Sequence, residues 1–245
     1  GREDVVLLAV GQSGVGTWGH SFARSSDGIL DGYGCMNQPG IVLTLAMQAA
    51  KLAGANSSDL DKAIIKSARF LHWYAGKGAV PYGDHPPWPG HEDNGKCSSA
   101  ALLFDLVGDR EAAAFFSRMG MAGYAERESG HTGNFFNILW ALPGVSRCGP
   151  LATSAYLKET DWYYDFARGW DGRFIHQGVP GEVESYNNWD STGAYMLAYA
   201  LPLKNLLITG RKQTVVQPLS AAAVAETIGN GRWNFWSGQE TFYDS

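Results

Sequence analysis

Apolar residues recur with a helical period through most of the chain, and glycine-rich turns separate the periodic stretches. In 41–53 the apolar positions fall on one helical face, and Gly54 follows where a C-terminal cap is expected. Ser58 and Asp61 then have the spacing of a capping box ahead of a helix that extends to about Tyr74. The pattern predicts a helical hairpin.

The same alternation continues to the C-terminal part of the chain. Further helices are predicted over 94–107, 111–126, 132–142, 151–167, 192–208 and 219–228. The stretch 94–107 is apolar on nearly all sides, which predicts a helix that is buried all round. Pro143 and Gly144 are expected to end the helix before them. Only 173–179 has the character of a strand pair or an extended loop.

These helices form about four pairs, in which an apolar helix is joined to a more amphipathic one. Pairs of this kind stack into solenoids or close into toroids of inner and outer helices. Because no repeat of fixed length accompanies them, a toroid with loops inserted at one rim is favoured. The predicted fold class is therefore all-α, as an α/α toroid or part of one, in a single domain over 1–245.

Composition excludes several classes of function. The 245 residues are 45% hydrophobic and 18% charged, which argues against intrinsic disorder. A formal net charge of −5 without any Lys/Arg block argues against a nucleic-acid partner, and no apolar run is long enough for a membrane span. Because the chain begins at Gly1 without an initiator Met, we expect it to be a fragment of a longer polypeptide. Its compartment is not fixed, and an extracytoplasmic location is left open.

The cysteines predict neither a disulfide framework nor a metal centre. There are three, at Cys35, Cys97 and Cys148, an odd number with wide spacing. We expect them to be small buried apolar residues. Asp93 lies near Cys97 in sequence, but Cys97 falls inside an apolar helix, so no zinc and no other cofactor is expected.

Polar and aromatic residues gather just before the predicted apolar helices. The clusters occupy 33–37, 91–96, 130–134 and 186–193. Because the inner helices of alternating hairpins run parallel, we expect these helix N-termini to meet at one rim and to favour an anionic ligand. Four residues are predicted to surround one cavity mouth: Asn37, Asn94, His131 and Asp190.

Ordinary helix capping is the alternative interpretation of these clusters, because Asn, Asp, Ser, Thr and Gly are common caps and turn residues. Capping does not need imidazole, phenol or indole groups, which the clusters supply at His91, His131, Tyr186 and Trp189. The proline-rich loop 81–89 adds four more candidates, namely Tyr82, Asp84, His85 and Trp88. Proline stiffens such a loop, which suits a segment that holds side chains in place.

Several motifs resemble an uncharacterised bacterial domain family of unknown function, which is often found after a PDZ-type domain. The motifs are Trp18-Gly19-His20, the stretch 32–40, the stretch 130–136 and the stretch 189–195. The resemblance covers most of the chain. It implies an α/α toroid similar to terpenoid cyclases and protein prenyltransferases, and it brings no established catalytic residues.

Comparison with the chemistries of toroid enzymes favours polysaccharide cleavage. The Asp-x-Asp-Asp motif of class II terpenoid cyclases is missing. Toroid polysaccharide lyases neutralise a uronate carboxylate with Asn or His and move the proton with Tyr or His. That inventory is present at Tyr82, His85, His131 and Tyr186, with Asn94 and Asn134 for the carboxylate. A glycoside hydrolase would instead use two carboxylates from Asp84, Asp93, Glu184 and Asp190.

Three hypotheses follow. The first is an enzyme that acts on an acidic polysaccharide, by β-elimination or hydrolysis, with aromatic residues stacking on sugars. The second is a non-catalytic ligand-binding or assembly domain within a larger secreted protein. The third is an isoprenoid-type toroid enzyme with an apolar cavity. The His, Asn and Tyr clusters favour the first hypothesis.

Overall fold

A computed structural model describes residues 2–88, 90, 95–126, 135–177 and 188–231. In these ranges the chain forms nine α-helices: α1 (Arg2–Val10), α2 (Asn37–Leu52), α3 (Ser58–His72), α4 (Lys96–Val107), α5 (Arg110–Ala122), α6 (Phe135–Val145), α7 (Pro150–Ala167), α8 (Thr192–Ala200) and α9 (Ala221–Gly231). Short 3-10 helices span Gly123–Glu126, Ser146–Cys148, Leu201–Leu203 and Leu207–Thr209. The described ranges contain isolated β-bridges but no sheet, so the all-α prediction is confirmed.

The most buried helix is α4. Every residue from Lys96 to Leu106 is buried, as the apolar pattern predicts. α4 packs against α2, α5 and α6, and Gln48 of α2 donates its side-chain N–H to the carbonyl of Leu106 at 2.9 Å. Gly108, with φ +90°, ends the helix in a left-handed conformation that favours glycine. The core is therefore assembled around α4.

The helices pack in two rows, and α4 belongs to the first of them. In one row α2 packs on α4, α4 on α6, and α6 on α8. In the other, α9 packs on both α5 and α7. Extensive packing between α8 and α2, which would close the first row into a ring, is not present among the described residues. The pairs α2–α3 and α4–α5 agree with the predicted helical hairpins, whereas α8 and α9 do not pack extensively on each other in the described ranges.

The helix end predicted at Pro143 and Gly144 is wrong for a reason of tertiary packing. Pro143 lies inside α6, which continues to Val145. A Cβ on Gly144 would stand 2.6 Å from the carbonyl oxygen of Ser98, so close packing against α4 fixes the backbone here. The Gly144 carbonyl also accepts a hydrogen bond from the Ser117 hydroxyl at 2.8 Å. These contacts hold the last turn of α6 in place despite the proline.

The capping box predicted at Ser58 and Asp61 is not formed. Ser57 is the N-cap of α3, and its side chain makes no capping hydrogen bond. Asp61 instead forms an ion pair with Lys51 at 2.6 Å, which joins α3 to the last turn of α2. The α-helix predicted over 192–208 ends at Ala200, where the 3-10 helix Leu201–Leu203 begins. Pro202 has no N–H with which to extend the α-helical hydrogen bonds.

Other predictions of the sequence are confirmed in the described ranges. Phe174 bridges to Arg168 and Ile175 to Asp190, so the described part of 173–179 is extended. All three cysteines are free and buried. Within the part of the chain that the structure covers, no helix is both long and apolar enough to cross a membrane.

Candidate functional site

The N-terminus of α2 is tied to the segment 81–88, which we call the proline loop. Asn37, the first residue of α2, is fully buried. Its side-chain Nδ2 donates to the carbonyls of Pro81 at 2.9 Å and Gly83 at 2.8 Å, and its backbone N–H donates to the carbonyl of Tyr82 at 2.8 Å. The Asn37 amide therefore holds the backbone of the loop in place. This favours a role in positioning the loop over direct contact with a substrate.

The other end of the proline loop is held by main-chain pairing. Ala79 and Trp88 exchange two backbone hydrogen bonds of 3.0 and 2.9 Å. The buried Tyr74 hydroxyl lies 3.4 Å from Asn37 Nδ2, and burial raises the pKa of this phenol. With both ends fixed, the middle of the loop is exposed at Asp84 and His85. Trp88 is also exposed, with 54% of its surface accessible.

An aromatic strip runs from the proline loop across the neighbouring 18–36 segment. The rings of Tyr82 and Tyr33 meet edge to face with centroids 5.7 Å apart, and His20 meets Tyr33 in the same way at 6.2 Å. A Cβ on Gly83 would lie 3.1 Å from the Tyr33 ring and 3.3 Å from His85 Nε2. The glycine therefore makes room for both rings, and the strip consists of His20, Tyr33 and Tyr82.

A buried lysine lies behind this strip. Lys96, the first residue of α4, has 0% of its surface accessible, and its Nζ is 6.0 Å from the centroid of the Tyr82 ring. Gly95, with φ +67°, precedes it in a left-handed conformation and donates its N–H to Asn137 Oδ1 at 2.6 Å. A Cβ on Gly95 would collide with the Phe136 carbonyl, so only glycine fits this start of α4.

Lys96 is a site residue that the sequence did not single out. It belongs to a predicted polar cluster, but lysine is ordinarily expected to extend its ammonium group into solvent. The available signal was its place in the first turn of a helix that is apolar on all sides. Glu126 was missed as well: it is buried at the end of a 3-10 turn, with its Oε1 3.3 Å from the Cβ position of Gly90.

A carboxylate faces the opposite side of the proline loop. Asp84 Oδ2 would lie 3.6 Å from a Cβ atom added to Gly34. Burial, together with the negative charge of Asp84, raises the pKa of the Cys35 thiol to about 11. Cys35 therefore remains a neutral thiol at neutral pH and is not suited to act as a nucleophile. The described site thus has Lys96 near the Tyr82 ring and Asp84 near Gly34 and Cys35.

Two predicted residues belong to the N-terminus of α8. Asp190 Oδ1 accepts hydrogen bonds from the backbone N–H and the hydroxyl of Thr192, at 3.1 and 2.7 Å. These hydrogen bonds, with a smaller contribution from Arg173, lower the pKa of Asp190. This geometry is that of an Asx turn at the residue before the N-cap Ser191, and it satisfies the first N–H of α8. Trp189 beside it is exposed.

The remaining predicted site residues fall outside the described ranges: His91, Asp93, Asn94, His131, Asn134, Glu184 and Tyr186. The convergence of the four cluster residues on one mouth therefore stays a prediction. The structure brings Asn37 together with Tyr82, and the contacts of Asp190 form a separate set around Thr192 and Arg173. The described residues contain no group of three His, Cys, Asp or Glu side chains placed to hold a metal ion.

A sequence profile of a domain of unknown function matches residues 2–210. The chain belongs to the DUF6288 family. The match includes every described residue of the site from His20 to Asp190, in agreement with the resemblance to an uncharacterised domain family. No curated protein and no solved structure shows a significant match. The function of this DUF6288 domain is therefore argued from its own side chains.

Proposed function

We propose that the chain is a carbohydrate-active enzyme of the α/α-toroid type that acts on an acidic polysaccharide. Its active site would be built from the proline loop and the N-terminus of α4. The observation that carries this proposal is the buried ammonium group of Lys96 behind the partly exposed ring of Tyr82. The row of α2, α4, α6 and α8 supports the toroid, with these helices on its inner side.

The substrate class follows from the surface chemistry of the strip. Exposed aromatic rings such as Tyr33 and Trp88 offer flat apolar faces on which a sugar ring stacks. The positive charge of Lys96 and the N-terminal end of the α4 dipole favour a negative group nearby. An acidic sugar satisfies both requirements in one ligand, because its ring and its carboxylate are rigidly joined.

β-Elimination is the reaction that the described residues support best. In this mechanism Tyr82, acting as its phenolate, takes the proton on the carbon next to the carboxylate. The electrons of that C–H bond form a C=C bond, and the glycosidic C–O bond breaks. The leaving oxygen takes its proton from His85. The charge that develops on the carboxylate is stabilised by Lys96 and, as the sequence predicts, by Asn94 and Asn134.

Hydrolysis is less well supported because it needs two carboxyl groups that face each other across the scissile bond. Of the four candidates, Asp93 and Glu184 lie outside the described ranges. Asp190 accepts hydrogen bonds from Thr192 at the start of α8, which leaves Asp84 on the proline loop as the remaining described candidate for this role.

The proposal is tested with a panel of uronate-containing polysaccharides. Elimination creates unsaturated ends that absorb ultraviolet light, whereas hydrolysis creates reducing ends without that absorbance. Tyr82→Phe is expected to lower the elimination rate at least a hundredfold while the substrate Kd changes less than threefold. Tyr199→Phe, at an exposed tyrosine of α8, is the matched control and should retain full activity. Full activity of Tyr82→Phe would overturn the assignment of the base.

A non-catalytic carbohydrate-binding domain is the second candidate, and the exposure of Trp88 and Tyr33 favours it. Saturable binding of an acidic glycan without any product, on protein shown to be folded, would select this candidate over the enzyme. The isoprenoid-type hypothesis stays a prediction, with no supporting observation among the described residues.

A further inference from the structure

A cleft separate from the proline loop lies between the N-terminus of α7 and the segment 201–218. It encloses about 490 Å³, a volume in the range of small-molecule sites. None of the residues of the candidate active site lines it. The proposal made for this cleft is therefore independent of the polysaccharide-cleaving activity.

The charge of the cleft is positive. Arg147, Lys204 and Lys212 line it, and no carboxylate is among the lining residues. The carboxylate closest to Arg147 is that of Asp105, which lies below the cleft and is almost fully buried. Its Oδ2 forms an ion pair with Arg147 Nε at 3.2 Å, and its Oδ1 accepts a hydrogen bond from the Thr214 hydroxyl at 2.7 Å. The two lysines therefore have no acidic partner on the cleft surface.

Arg147 is held so that one guanidinium nitrogen faces the cleft. Its side chain is only 4% accessible, and Nη2 donates to the carbonyls of Leu207 at 3.1 Å and Ile208 at 2.9 Å. Nη1 lies 3.4 Å from the Cβ position of Gly210, which also lines the cleft. Nη1 has no hydrogen-bond acceptor among the described residues. Because Nη1 faces the cleft, it can donate to an acceptor that a ligand supplies.

The first turn of α7 adds to the positive potential. α7 has 18 residues, and its N-cap Gly149 provides no side-chain capping hydrogen bond. Pro150 follows at the first helical position and has no N–H. The next backbone N–H groups are therefore uncapped by a side chain, and the positive end of the helix dipole faces the same cleft as Arg147.

The remaining wall of the cleft is apolar. Leu201, Pro202 and Pro218 form it, so part of the ligand has to be an apolar body or a ring face. We propose that the cleft binds a phosphate monoester of a compact ring compound. Three cationic side chains and a helix N-terminus match a dianionic head group, and the proline-rich wall matches the ring.

Isothermal titration of the full chain at fixed ionic strength tests the assignment. The probes are phenyl phosphate, inorganic phosphate and benzoate. Phenyl phosphate is expected to bind saturably with one site per chain, at least tenfold more tightly than either of the other two. Equal affinity for benzoate would overturn the phosphate assignment, and equal affinity for inorganic phosphate would overturn the role of the apolar wall.

Variants locate the binding. The double variant Lys204→Gln/Lys212→Gln removes two cationic side chains that hold no part of the fold, and it is expected to raise the Kd of phenyl phosphate at least tenfold. Lys158→Gln, at an exposed lysine of α7 outside the cleft, is the matched control and should change the Kd less than twofold. An unchanged Kd in the double variant, or the absence of saturable binding to the wild-type chain, would refute the proposal.

Discussion

Asn37 and Arg147 hold two irregular segments of the chain in the same way but with different chemistry. Each is buried, and each donates side-chain hydrogen bonds to two consecutive or nearly consecutive carbonyls of a distant loop. Asn37 is neutral and needs no counter-charge. Arg147 is a cation, and burial lowers the pKa of its guanidinium while Asp105 opposes that shift. The charged anchor therefore depends on a second buried residue, whereas the neutral anchor does not.

This difference predicts that Asp105→Asn is the most damaging substitution of the two regions. It leaves the Arg147 charge buried without its counter-ion, and we expect the free energy of unfolding to fall by about 3–5 kcal/mol. Urea unfolding followed by circular dichroism measures the change. Asp61→Asn breaks the exposed Lys51–Asp61 ion pair and is the matched control, with an expected loss of at most about 0.5 kcal/mol. Similar losses in the two variants would contradict the comparison.

Asn37→Ala is expected to have a smaller effect on stability. It leaves the carbonyls of Pro81 and Gly83 without their donor in a buried place, and it creates a small cavity. Each lost hydrogen bond contributes about 1 kcal/mol, so the expected loss is about 2–3 kcal/mol. The same unfolding measurement tests this. A loss larger than that of Asp105→Asn would show that burial of charge does not distinguish the anchors.

A third buried polar side chain makes the free energy of unfolding depend on pH. His176 is fully buried, its Nδ1 lies 3.3 Å from the Tyr195 hydroxyl, and burial lowers its pKa from 6.5 to about 4. Below pH 6.5 the imidazole binds a proton in the unfolded chain but stays neutral in the folded chain. The contribution of neutral His176 to the free energy of unfolding is therefore complete above pH 6.5 and is lost as the pH falls toward 4. Between pH 7 and pH 5 we expect it to lower the free energy of unfolding by about 2 kcal/mol.

The measurement is the difference between the wild-type chain and His176→Gln at the two pH values. Carboxylates titrate in both proteins, so their contribution cancels in the difference. A wild-type chain that loses no more stability than His176→Gln between pH 7 and pH 5 would show that the His176 imidazole is able to accept a proton in the folded state.

The sequence predicts most of the helices but few of the contacts that connect them. The apolar pattern of α4 is sufficient to predict its burial, because a helix without a polar face has to be enclosed. The contact between Asp105 and Thr214 joins residues that are far apart in the chain, and no local pattern indicates it. Pro143 also illustrates the limit: its local preference ends a helix, but packing of Gly144 against Ser98 outweighs that preference.

The sequence predicts several residues of the candidate site but not how deeply each of them is buried. Asn37 is predicted as a candidate because polar residues precede apolar helices, and the proline loop because its prolines hold polar and aromatic side chains in place. The structure brings Asn37 and this loop together. The sequence does not reveal that Asn37 lies beneath the loop while Tyr82 lies on its surface. That order depends on how α2 and α4 pack, and the same packing buries Lys96.

The burial of Lys96 has a consequence for how relatives of this chain can diverge. An ammonium group in the interior carries a desolvation cost that methionine, of similar length, does not. Selection for folding would therefore favour an apolar residue here unless the buried charge has a partner or a function that depends on it. Within the DUF6288 family, we therefore expect the residue at this position to distinguish relatives that share the proposed site from relatives that share only the fold.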